Sequence, residues 1–225
     1  MDENAINFML SKLLSSNNHY LDTFSSNQLN DSNKLKLNLI SKQQESFCFI
    51  VNTLSYVEEF DKLGHWLSIF ITKNKNKVII KYFDSFADNP SKYPEVSKYI
   101  DDIKKRCKQH RIYFRLEMLN SSIQSIYSKV CGIYVVYSII KYHTHPNLLL
   151  KNIFEIFRIR DVRKNDANIM NFLIRHCPTN TCHLIPIYRN NKVFFFKSSK
   201  KMKTPPMCPM KDMDADMCMQ NCNCN

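Results

Sequence analysis

Apolar positions recur along this chain with two periods, one helical and one extended. Residues 4–14 place Ile6, Met9, Leu10, Leu13 and Leu14 on one face, the pattern of an amphipathic docking helix, and the polar run Ser15-Ser16-Asn17-Asn18 ends it. Asn27 to Lys36 is polar and turn-rich, whereas Phe47-Cys48-Phe49-Ile50-Val51-Asn52-Thr53 fits a strand or a buried apolar run. Residues 55–63 are acidic and loop-like. Trp66 to Thr72 and Val78 to Asp84 read as strands flanking the turn Asn74-Lys75-Asn76, which predicts an antiparallel hairpin.

Beyond Pro90 and Pro94 the helical period returns, with Val96, Tyr99, Ile100, Ile103 and Cys107 inward and Lys104, Lys105, Arg106 and Lys108 outward. This helix is expected to cover the sheet from one side. Ile112 to Met118 alternates as a third strand, and Asn120-Ser121-Ser122 turns into a loop at Gln124. From Ile133, the spacing of Ile133, Val136, Tyr137 and Ile140, with Val135 and Ile139 on the other side, predicts a helix that is apolar nearly all round. Such a helix belongs inside a domain. Helices are also expected over 147–158, after Pro146, and over 166–176, ending at Pro178. His183 to Tyr188 and Val193 to Lys197 form a predicted terminal hairpin. From Ser198 the periodicity is lost, which reads as a disordered tail. The expected organisation is one domain over 1–197 and a tail over 198–225.

Composition adds a partner class. A formal charge of +12 over 225 residues favours polyanions, because lysine and arginine that neutralise phosphates release counterions. A solvated lysine-rich surface gives the same charge, and no base-reading motif accompanies it. The candidate nucleic-acid surface is Lys104, Lys105, Arg106, Lys108 and Arg111, with Lys200, Lys201 and Lys203 as a second cluster. Nine irregularly spaced cysteines do not resemble a secreted disulfide framework, so a reducing compartment is expected. Cys208, Cys218, Cys222 and Cys224 are soft ligands, but their spacing is not that of a paired zinc site and no metal ligands are assigned. No apolar run approaches the ~20 residues of a membrane span, and no membrane partner is expected.

The candidate chemistry centres on Cys131. It opens the interior helix, where unpaired N–H groups and the positive end of the dipole favour a thiolate. The two glycines of the chain, Gly132 and Gly64, directly follow Cys131 and directly precede His65. His65 enters the first strand of the predicted hairpin and Asp84 leaves the second, so the pairing makes them neighbours. Gln124 lies in the loop leading to Cys131, and its amide is a candidate donor to an oxyanion beside the Cys131 N–H. Trp66 is a candidate to pack against the imidazole. Taken singly, each residue also has an ordinary reading: a buried thiol, a surface histidine, a turn-forming aspartate, a core tryptophan.

At these positions the sequence resembles the adenovirus-type cysteine endopeptidases, the adenains, which are related to the SUMO-deconjugating proteases. The resemblance is carried by Phe47 to Thr53, Gly64-His65-Trp66, Tyr82-Phe83-Asp84-Ser85-Phe86, and Gln124 with Cys131-Gly132 seven positions on. It extends weakly into Asn168 to His176 and residues 6–26. It implies an α+β fold with a central mixed sheet, the catalytic helix packed against it and further helices around both. It also implies Cys131 as nucleophile, His65 as general base, Asp84 as orienting acid, where adenovirus enzymes usually carry glutamate, and Gln124 as oxyanion donor. The implied activity is cleavage after glycine in viral precursor proteins during virion maturation, by a monomer located in the virion and the host nucleus or cytoplasm. No cofactor is required on this reading, with DNA as a candidate activator. The disulfide-linked peptide cofactor of the adenovirus enzymes lacks its cysteine here, since Tyr113 occupies that position. A deconjugase of a ubiquitin-like modifier and a non-catalytic basic virion protein are the alternatives.

Overall fold

In the computed structural model, described for residues 1, 3–14, 19–41, 43–54, 64–157, 160–176, 186–189 and 192–195, helices pack on both faces of a mixed sheet. The chain runs α1 (Glu3–Leu13), β1 (Tyr20–Ser25), β2 (Glu45–Asn52), β3 (Trp66–Asn74), β4 (Lys77–Phe83), α2 (Pro94–Gln109), β5 (Tyr113–Glu117), α3 (Cys131–Thr144), α4 (Leu150–Ile153), α5 (Val162–His176), β6 (Pro186–Arg189) and β7 (Lys192–Phe195). The five-stranded sheet has the order β1-β2-β3-β4-β5. Its outer pairs, β1 with β2 and β4 with β5, are parallel, and the inner pairs are antiparallel. This is the α+β architecture expected from the sequence.

The central strands are apolar on both faces because both faces are covered. Along β3, Trp66 and Phe70 face one core with α1, α3 and α5, while Leu67, Ile69 and Ile71 face the other with α2. The polar residues between them are paired: Ser68 Oγ meets Ser138 Oγ of α3 at 2.7 Å, and Thr72 Oγ1 meets the Tyr142 hydroxyl at 2.9 Å. Lys73, fully buried, donates to the carbonyls of Ser41 and Gln43 and so fastens the approach to β2.

The expected β3–β4 antiparallel hairpin forms, with Ser68 opposite Phe83, but Asn74 pairs with Lys77 and leaves the expected three-residue turn Asn74-Lys75-Asn76 with only Lys75 and Asn76. Its two-residue turn places Lys75 at φ 43°, the left-handed region that a tight turn between right-twisted strands requires. Helix α2 buries Val96, Tyr99, Ile100, Ile103 and Cys107, as the period predicts. The β6–β7 hairpin pairs Pro186–Arg189 with Lys192–Phe195, within the expected terminal hairpin.

Three elements differ from the reading of the pattern. Tyr20–Ser25 is an edge strand that no alternation announced, since Asp22 and the half-exposed Tyr20 and Ser25 break its face. It is held by hydrogen bonds from Tyr20 and Thr23 to Asn7 of α1. The helix expected over 147–158 contracts to Leu150–Ile153, after which Glu155 and Phe157 donate to carbonyls three residues back. Those tighter turns let Phe154 stack on Phe83 at 4.1 Å and Phe157 meet Tyr134 and Tyr137 edge-on. Helix α5 begins four residues before Asp166, because Asp161 accepts from the N–H groups of Lys164 and Asn165 and starts the helix there. The acidic loop 55–63, the segment 15–18 and the tail 198–225 with its lysines and cysteines lie outside the described residues.

Candidate active site

The strand ends and a helix start meet at one end of the sheet. Backbone pairing of Thr53 N–H with the His65 carbonyl at 2.9 Å continues the β2–β3 ladder, and the His65 N–H donates to the Thr53 side-chain hydroxyl at 3.0 Å, which together fix His65 just before β3. Gly64 leaves room there for Asn52, since a Cβ at this position would sit 1.8 Å from Asn52 Oδ1 and displace that side chain. Asp84 directly follows β4. Its Oδ1 accepts from His65 Nε2 at 2.7 Å and from the Phe86 N–H at 2.7 Å, while Oδ2 accepts from the hydroxyls of Tyr93 at 3.2 Å and Tyr82 at 3.4 Å. Four donors on one buried carboxylate leave it little freedom to rotate.

With Nε2 on Asp84, the ring turns Nδ1 towards Cys131, with which the imidazole hydrogen-bonds. Cys131 is the first residue of α3 and half-buried, so its sulfur lies at a helix N-terminus. Burial alone pulls the imidazole towards neutrality, but the hydrogen bonds and charges of Asp84 and Cys131 outweigh it and raise its pKa to about 9. Burial alone pushes the thiol up. The hydrogen bond to His65, its positive charge and the Trp66 backbone outweigh that, and the thiol pKa falls below its ordinary value. Cys48 and Cys107, the other free cysteines among the described residues, are raised by burial. Of the three thiols only that of Cys131 is lowered, and it is the one beside the imidazole.

Gln124 is buried in the loop before α3, and its amide is held at both ends: Oε1 accepts from the Ser85 hydroxyl and Nε2 donates to the Ser128 carbonyl at 3.0 Å. It is thus fixed to the residue that follows Asp84 and to the turn that precedes Cys131. One N–H hydrogen of the amide remains beyond the bond to Ser128. The Ser85 carbonyl also accepts from the N–H groups of Ile123 and Gln124, so the loop is laced to the acid's own neighbour.

The ring that packs on the imidazole is not Trp66. Phe86 stacks on His65 at 4.8 Å with Tyr93 beyond it at 6.3 Å, while Trp66 donates its indole N–H to the Met1 carbonyl at 3.0 Å and lies against Gly132. The β3 geometry explains this: Trp66 points into the α3-side core, away from the ring of the preceding residue. A signal for Phe86 was present, since an aspartate two residues before it forms an Asx turn with its N–H.

The basic cluster lies elsewhere. Lys104, Lys105, Lys108 and Arg111 are exposed on α2 and at its end, on the face of the sheet opposite α3. Arg106 departs from the expected outward orientation. It is half-buried and its guanidinium donates to the Leu37 carbonyl at 2.8 Å, which ties α2 to the segment before β2. Among the described residues no group of three or more His, Cys, Asp or Glu has metal-binding geometry, and no helix is long and apolar enough to cross a membrane.

No protein-family model and no curated protein sequence matches the chain. Solved structures similar to it include a crystal structure of an ASFV protease, with a TM-score of 0.44 and 14% identity over 70% of this chain and 67% of that one. ChlaDub1 from Chlamydia trachomatis has a TM-score of 0.39 and 12% identity over 59% and 60%. The chain spans 57% of the ASFV protease in a crystal structure of its selenomethionine protein. The SUMO protease Ulp1, with its catalytic cysteine oxidised to a sulfonic acid, has a TM-score of 0.38 and 14% identity over 75% of this chain and 79% of that one.

Proposed function

We propose that this protein is a cysteine endopeptidase in which Cys131 is the nucleophile, His65 the acid and base, Asp84 the group that orients and charges the imidazole, and Gln124 an oxyanion donor. The observation that carries the reading is geometric: His65 Nε2 is held on the Asp84 carboxylate at 2.7 Å, and the imidazole so fixed bonds the thiol of Cys131 at the first residue of α3, a contact that lowers the thiol pKa and raises that of the imidazole. In this scheme the Cys131 thiolate attacks the scissile carbonyl carbon and its oxygen becomes an oxyanion. The backbone N–H of Cys131 at the start of α3 and the second hydrogen of the Gln124 amide donate to that oxygen, whereas the N–H groups of Ile133 and Tyr134 are already taken by the Val130 carbonyl. The C–N bond breaks as His65 Nδ1–H gives its proton to the departing amine. Water then gives a proton to His65 and attacks the thioester, and the acid product leaves with the thiolate restored.

The substrate reading rests on the sequence resemblance: cleavage after glycine in viral precursor proteins during virion maturation, in the virion and the infected cell. DNA binding to the exposed lysines of α2 is proposed as an activating interaction. It predicts that DNA raises turnover at low salt and that the gain disappears as salt rises.

The test sets purified protein against three substrates: a precursor with internal glycine sites, SUMO or ubiquitin fused to a reporter, and a glycine-ended fluorogenic peptide. Cleavage of the precursor that is abolished by Cys131→Ala supports the endopeptidase, and preference for the modifier fusion replaces it with a deconjugase. If no substrate is cut and Cys131 reacts with iodoacetamide at pH 6.5 no faster than a denatured-state thiol, the catalytic reading fails.

A further inference from the structure

Helix α5 reaches the loop that precedes the nucleophile through two adjacent side chains. Asp166 Oδ2 accepts from the Ser125 N–H at 3.2 Å, and Oδ1 accepts from the Tyr134 hydroxyl of α3 at 3.1 Å. The same carboxylate hydrogen-bonds the Ser128 side chain. Asn165 donates its amide to the Ile123 carbonyl at 2.9 Å, which the Tyr134 hydroxyl also reaches at 3.1 Å. Residues 123, 125 and 128 are therefore gripped from the α5 side, while Ser85 grips residues 123 and 124 from the side of Asp84. Gln124, whose amide ends on Ser128, lies between the two holds.

The turn so fixed is Ser125-Ile126-Tyr127-Ser128, closed by Ser128 N–H on the Ser125 carbonyl at 3.0 Å. Ile126 and Tyr127 at its tip are 76% and 82% exposed, so packing of the tip itself supplies little restraint. The restraint comes from the carboxylate. Burial raises the Asp166 carboxyl to about 6 while the Ser125 N–H and the shared hydroxyls of Ser128 and Tyr134 oppose that rise, so at neutral pH it is an acceptor at both oxygens.

We propose that Asp166 is a positioning residue for the reaction assigned to Cys131: it sets the 123–128 turn and, through Ser128 and Gln124, the place of the oxyanion donors. The inference rests on the cysteine endopeptidase reading above. It separates two things a structural residue would move together. The His65–Asp84–Cys131 hydrogen bonds do not pass through Asp166, so thiolate formation is independent of it, whereas oxyanion stabilisation is not.

The test measures kcat, KM and the iodoacetamide alkylation rate of Cys131 in Asp166→Ala and Asp166→Asn beside the wild type. Misplacement of donors by an ångström costs about 10- to 100-fold, so Asp166→Ala is expected to lose that factor in kcat with KM and alkylation rate within twofold. Asp166→Asn retains one acceptor oxygen and is expected to recover most of the loss. The Tyr134 and Ser128 hydroxyls each share one hydrogen between Asp166 and the Ile123 and Ser125 carbonyls, so in the alanine variant they turn wholly to those carbonyls, only the Ser125 N–H loses its acceptor, and the fold should persist. An unchanged kcat in Asp166→Ala, or a parallel fall in kcat, alkylation and thermal stability that asparagine does not rescue, overturns the positioning role alone. A wild type that cleaves nothing overturns the endopeptidase reading, and the positioning role with it.

Discussion

Asp84→Asn keeps the shape of the acid and removes its charge. The carboxylate now supplies acceptors to four donors, with His65 Nε2 and the Phe86 N–H on one oxygen and the two tyrosine hydroxyls on the other. Asparagine has one acceptor oxygen, so either the imidazole or the tyrosines must face an NH2 group. The larger consequence is electrostatic. With Asp84 present, the ring pKa is raised to about 9 against burial that pulls it down; without it, Cys131 alone opposes burial and the pKa falls towards the ordinary 6.5. At pH 8 a ring of pKa about 9 is ~90% charged and one of pKa 6.5 is ~3% charged, so the imidazolium that stabilises the thiolate falls about thirtyfold. Loss of the correct tautomer adds to this, and the expected decrease in kcat is about 10²- to 10⁴-fold. The assay is the alkylation rate of Cys131 between pH 5.5 and 9.5, read by intact mass. Wild-type protein should react rapidly from pH 6.5 upward, and Asp84→Asn should shift the rise towards the ordinary thiol range. Identical pH profiles for the two proteins would refute the assignment of Asp84 as the group that charges His65.

Three further outcomes follow from the same contacts. Because the folded His65 pKa lies above its unfolded value, its contribution to stability is complete below about pH 6.5 and lost as pH rises through about 9, whereas the lowered Cys131 thiol gains stability over the same rise and opposes that loss; thermal melts from pH 6 to 9.5 should show the loss in Cys131→Ala, where the opposing group is gone, and its absence in the Cys131→Ala/His65→Ala double variant. Gly64→Ala forces Asn52 to swing away and release its bond from the Leu54 N–H at 3.1 Å. It should cost about 1–3 kcal/mol in urea unfolding and be partly restored by Asn52→Ala. Lys73→Ala leaves the carbonyls of Ser41 and Gln43 without their donor and opens a cavity beneath β3. An expected loss of about 3–5 kcal/mol, with Lys73→Met intermediate, is checked by denaturant titration.

Much of this protein follows from local pattern, because the physics that sets it is local. The helical spacing of α2 and α3, the apolar run of β2, and the polar turn that folds β3 back on β4 are properties of neighbouring residues. The register alone brings His65 and Asp84 to the same end of a hairpin, and the start of α3 places Cys131 at a dipole. What tertiary structure decided depends on residues far apart in sequence. The edge strand β1 exists because β2 supplies a parallel ladder and Asn7 a side-chain partner, not because Tyr20–Ser25 has a strand pattern. Phe86 rather than Trp66 covers the imidazole because strand alternation sends the tryptophan to the opposite core. Arg106 turns inward to a carbonyl 69 residues away. Asp166 finds the nucleophile's loop 41 residues back only after α5 has docked on α3, and no periodicity along the chain encodes where a buried carboxylate will meet its donors.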